Sequence, residues 1–184
     1  MIPWDIARSS AFVAFGCYTL VVSWGILLAA RAWRPPAPQL AFHRFLSTLG
    51  LVAVAVHVGA LMSDGYAHVT WRSLVALDPR PGVRLGAIAL WLIVALPLSF
   101  QLKRRRLMSH RAWRFLHRFG YATWVLALCH GVLSGSDTAS PFARLAYGLG
   151  AMLVVGAAWW RWFELPVPGS PRPGGSPRPS EGSA

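Results

Sequence analysis

Five long apolar runs occupy most of this 184-residue chain: residues 12–30, 45–62, 85–102, 119–133 and 145–160. A helix needs about 20 apolar residues to cross a bilayer. The fourth run is short and reaches that length only with the residues from Trp113 onward. In hydrocarbon a backbone must satisfy its own polar groups, so helices and closed barrels are the available folds. These runs are rich in Ala, Leu and Val and lack period-two alternation, which favours helices. Only 13% of residues are charged, against about a quarter in soluble domains. The expected fold is an all-α membrane protein, a bundle of about five transmembrane helices.

No basic cluster precedes the first run, and it ends at Arg31 rather than at a small-residue cleavage site. It reads as a retained helix, not a cleaved signal. Cys17 and Cys129 form no spaced motif, which disfavours a disulfide framework or thiol-redox centre.

The formal net charge is +12, and its distribution carries the meaning. Thirteen of the 18 basic residues fall between runs one and two, between runs three and four, or after run five. The other side holds Arg8, Arg72, Arg80, Arg84 and Arg144. That is the positive-inside pattern. It implies a plasma-membrane protein with its N-terminus outside and its C-terminus cytoplasmic. Basic charge then sets topology and favours anionic membrane lipid, and no nucleic-acid partner is expected.

Residues 34–38 (Arg-Pro-Pro-Ala-Pro) predict a rigid extended link. Residues 64–82 form the longest external loop, and Pro97 should bend helix three. The division is a membrane domain over 1–165 and a Pro/Gly/Ser/Arg-rich tail over 166–184, expected to be disordered and cytoplasmic. No Gly-rich dinucleotide fingerprint occurs.

Four histidines interrupt the apolar runs: His43 and His57 in the second, His117 and His130 in the fourth. Ionisable side chains at membrane depth are costly and usually functional. Fourteen helical steps separate His43 from His57 by about 21 Å and return them to within about 40° of one face. Helices two and four both start in the cytoplasm, so His43 should share a depth with His117, and His57 with His130. Each level then offers two imidazoles to one iron, an arrangement suited to two haems stacked across the membrane. On an ideal helix His130 is turned about 220° from His117, so tilt, distortion or extended rotamers must bring both towards helix two. His68 and His110 read as solvated loop residues.

Arg44 and Arg118 each follow an inner histidine, in the repeats His43-Arg44-Phe45 and His117-Arg118-Phe119. They are placed either to neutralise haem propionates or simply to set topology. Gly50, midway between His43 and His57, admits either a flat macrocycle or close helix packing. Trp124, seven residues after His117, fits between macrocycles or in an ordinary core.

These histidine spacings, with the stretches 109–118 (Ser-His-Arg-Ala-Trp-Arg-Phe-Leu-His-Arg) and 130–138 (His-Gly-Val-Leu-Ser-Gly-Ser-Asp-Thr), resemble the ferric reductase-like transmembrane domain. That superfamily includes NADPH oxidases, ferric reductases and the haem-binding subunit of the periplasmic methionine sulfoxide reductase system. The resemblance covers about residues 10–163. It implies His43, His57, His117 and His130 as iron ligands of two b-type haems, carrying electrons from a cytoplasmic or membrane donor to an external acceptor. With no flavin and nicotinamide domain recognised, flavin would come only through a partner. The donor would be a flavoprotein or a quinol, and NADPH or NADH alone should leave the haems oxidised. Two other functions fit the same residues: a quinone-linked cytochrome b anchor subunit of a larger redox complex, and a haem-free membrane scaffold.

Overall fold

The computed structural model describes residues 2–29, 37–65, 67–75 and 78–163. The link 30–36 and the tail from 164 onward, with the readings made for them, lie outside the described residues. Seven helices follow in order: α1 (Ile2–Leu28), α2 (Ala37–Ser63), α3 (Trp71–Val75), α4 (Pro81–Arg104), α5 (His110–His117), α6 (Phe119–Ser134) and α7 (Pro141–Trp162). No strand occurs among the described residues.

Four of these helices, α1, α2, α4 and α7, are long and apolar enough to cross a membrane. Expected helix four is divided. Its apolar part, α6, has 16 residues, about 24 Å of helix, and the basic α5 precedes it. Side-chain placement suits lipid surroundings. Leu20, Val52, Trp91, Leu98, Leu149 and Trp159 face outward, where a soluble fold would bury them. Small residues fill the seams instead: Ala7, Ser10, Ala14 and Cys17 on α1, and Gly50 and Ala53 on α2. Small side chains let helix backbones approach where lipid removes the hydrophobic drive.

Two further features depart from the sequence reading. Helix α1 starts ten residues before its apolar run: Pro3 suits a first turn, and Ser9 and Ser10 donate to the Asp5 and Ile6 carbonyls. The long loop contains the short helix α3, tied to α4 by Trp91 Nε1 donating to the Leu74 carbonyl at 2.9 Å. Asp78 accepts from the backbone and side chain of Arg80, whose guanidinium also donates to the Ala67 and His68 carbonyls. Helix α4 continues through Pro97.

The broadest interfaces are α1 with α2 and α4 with α6, joined through contacts of α1 with α6 and α7. Where these groups meet, Trp124 packs with Val22, Ile26 and Ala157, and its Nε1 donates to Thr19 Oγ1 at 2.9 Å. Arg8 forms an ion pair with Asp137, tying the start of α1 to the α6–α7 turn. Helices α2 and α6, the two that carry histidine pairs in the sequence reading, are not a packed pair.

Candidate functional site

Across the gap between α2 and the α5–α6 segment, the four histidines meet two by two. The His43 and His117 ring centres lie 6.3 Å apart with planes at 63°. Those of His57 and His130 lie 6.2 Å apart at 75°. The sequence order of the pairs makes α2 and α6 run the same way. His117 belongs to α5 rather than α6, and the junction explains how the expected rotation is absorbed. Arg118 N donates to Phe115 O and Tyr121 N to Arg118 O, both at 3.2 Å and both three residues back. Three residues per turn over the four steps from His117 adds roughly 80°. The roughly 220° offset becomes about 300°, within about 60° of one face.

The separations have chemical content. An atom held from both sides by imidazole nitrogens at about 2 Å would place the ring centres roughly 6.3 Å apart. No hydrogen bond joins the two rings of either pair. Among the described residues no group of three or more His, Cys, Asp or Glu could hold a bare metal ion. Two facing imidazoles suit a metal whose other positions are filled by a flat macrocycle. Such a donor set could hold a haem at each level.

The two levels hold their rings differently. His57 Nδ1 lies 2.8 Å from the Ala7 carbonyl oxygen, and His130 Nδ1 lies 2.8 Å from that of Gly82. A carbonyl only accepts, so each Nδ1 carries the proton and Nε2 keeps its lone pair for a metal. His43 Nδ1 faces Val21 but is buried short of hydrogen-bond geometry. The His117 ring is instead stacked on Trp113, at 5.1 Å and 24°.

Glycines make room for two of the rings. A Cβ on Gly86 would come within 2.6 Å of His130 Nδ1, and one on Gly25 within 3.4 Å of His43 Cε1. Gly50 is backed by Tyr18 and Cys17 of α1, so its observed role is close helix packing. Trp124 is 6% exposed and serves the α1–α6–α7 core. Arg44 lies over the Phe100 ring at 5.4 Å beside the His43–His117 level. Arg118 is exposed at the α5–α6 junction. His68 and His110 are exposed.

Comparison with protein-family models, curated proteins and solved structures finds no match.

The resemblance to ferric reductase-like domains therefore stands on this chain's residues alone. Sequence reasoning missed Trp113, although its spacing of four from His117 on a helix already puts the two on one face. It also missed the Ala7 and Gly82 carbonyls and the room left by Gly25 and Gly86. Those depend on which helices become neighbours, and no local pattern reports that.

Proposed function

We propose that this chain is a transmembrane b-type haem electron-transfer module of the ferric reductase-like kind. The observation that carries this reading is the matched pair of histidine separations, 6.3 and 6.2 Å, at two levels of one gap. His43 with His117, and His57 with His130, would each hold one haem iron. Haem bound there would supply one-electron redox chemistry. The chain fixes ring direction through Ala7, Gly82 and Trp113, and Arg44 and Arg118 place positive charge near the first level. By the charge distribution that level is cytoplasmic, in a plasma membrane. Electrons would enter there from a separate flavoprotein or quinol and leave at the His57–His130 level for an external acceptor. About 21 Å of α2 separates the levels.

The test is a reduced-minus-oxidised spectrum with haem quantified per chain. Two low-spin haems are expected. His57→Leu or His130→Leu should each remove one haem, and His43→Leu or His117→Leu the other. Four variants that all keep the full haem complement would refute the ligand assignment.

One observation favours the haem-free scaffold as a second reading. The bonds from His57 to Ala7 and from His130 to Gly82 tie α2 to α1 and α6 to α4 without any cofactor. Protein grown with ample haem that shows no Soret band would select it.

A further inference from the structure

Beside the His43–His117 level lies a second constellation, built around the Trp113 ring that backs His117. Trp113 stands one turn before His117 on α5 and stacks on its imidazole. Lys103 Nζ, from α4, sits 3.9 Å from the centre of the indole. Phe100 and His110 lie 6.2 and 5.5 Å from it. The indole N–H is buried and has no acceptor. A cation over a tryptophan face is attracted by the ring quadrupole, so Lys103 holds the indole plane that meets the ligand.

The surface around this stack is basic. Arg104, Arg105, Arg106, Arg111 and Arg114 are all exposed. No Asp or Glu occurs in the sequence between Asp78 and Asp137, so α4, α5 and α6 supply no counter-charge. Helix α2 carries none either. Among the described residues, these helices therefore present a face suited to an acidic partner. Lipid headgroups would satisfy the charge alone. They would make no use of an aromatic ring in contact with a candidate iron ligand and clamped by a half-buried lysine.

We propose that Trp113 is the inlet through which an acidic one-electron donor protein, docked on this basic face, reaches the His43–His117 pair. The inference rests on the haem reading above. The donor is a protein carrying reduced flavin. It would give up one electron, with its proton going to solution, to a haem held by His43 and His117. No covalent bond forms or breaks between the partners. The indole provides a through-contact route from the docked surface to the His117 ring.

The experiment uses the full chain in lipid nanodiscs, with photoreduced flavodoxin, a small acidic FMN protein, as the probe. Trp113→Leu should slow haem reduction by saturating flavodoxin at least about tenfold, and Trp113→Phe should restore most of the rate. Rates are read per bound haem: reduction by dithionite should keep its wild-type rate in Trp113→Leu, whereas a Trp113 that only positions His117 would slow both reductants alike. Binding of oxidised flavodoxin, followed by fluorescence anisotropy, should weaken about tenfold in the Arg104→Gln/Arg105→Gln/Arg111→Gln protein and lose its salt dependence. Wild-type flavodoxin kinetics in haem-loaded Trp113→Leu would overturn the inlet alone. Unchanged flavodoxin binding by the triple variant, with reduced affinity for anionic vesicles, would assign the basic face to lipid and overturn the docking. A wild-type chain without haem would remove this inference together with the haem reading.

Discussion

Gly86 leaves no space beside His130, whereas Gly16 faces nothing within 4 Å. Gly86→Leu should therefore push the His130 ring away from His57 and, on the proposed haem reading, lower the haem count per chain by one, while Gly16→Leu leaves it unchanged. Pyridine-haemochrome quantification of both variants checks this; equal haem in the two would count against a steric role for Gly86. A second residue-scale expectation concerns Asp78 in the α3–α4 loop. Hydrogen bonds from the side chain and backbone of Arg80 hold its carboxyl well below the usual carboxylate range, and Asp78 in turn raises Arg80. A carboxylate with a lowered pKa contributes stability in full above its unfolded value, about 3.9, and loses it as pH falls through the folded value. With Arg80 half exposed, Asp78→Asn should cost about 1 kcal/mol at pH 6. Thermal unfolding from pH 6 to pH 2 should show the gap to wild type constant down to about pH 4 and narrowing below it. A gap that widens in acid would contradict the assignment.

At the scale of elements, the ends of α4 and α5 set where His117 stands. Leu107 N donates to Leu102 O and Arg106 N to Lys103 O, closing α4 in a Schellman turn. Its left-handed residue is Arg106, at φ 60°. A side chain there costs about 1 kcal/mol relative to glycine. Arg106→Gly should raise thermal stability by that amount, and a lower Tm would contradict this account. Helix α5 begins with Ser109 Oγ accepting from Ala112 N at 3.2 Å. Ser109→Ala should cost about 1 kcal/mol and loosen His117 more than His130, read as easier loss of one haem on titration with imidazole. Much of this layer was legible in the sequence. The apolar runs marked the long helices, and the matched histidine order gave the pairing. The early start of α1 was not legible, because its polar first turns are held by serine-to-carbonyl bonds that composition does not report. The division at Arg118 was not legible either, since two three-residue-back bonds replace ordinary winding there and leave the residue pattern unchanged. The roles of Gly50 and Trp124 had two readings each, and only the positions of Tyr18, Cys17 and Thr19 on α1 chose between them.

For the molecule as a whole, orientation fixes the direction of any electron flow. With Cys17 and Cys129 replaced, cysteines at Ser109 and Ser136 should label differently with an impermeant reagent, and only Ser136→Cys should react from outside. The reverse result would invert the proposed route. The gap between α2 and α6 bears on how the protein is made as well as on what it does. Among the described residues helix α2 has one broad protein partner, α1, and its histidines meet His117 of α5 and His130 of α6 ring to ring. A haem held by these two pairs would add to the contacts between α2 and the α5–α6 segment. A ligand that binds only the assembled form stabilises it by mass action, about 2.7 kcal/mol at a hundred times its Kd. Cellular haem supply would then act as a quality-control signal: chains synthesised during haem shortage would present an unsealed seam to membrane proteases and be cleared, while haem-replete chains would persist.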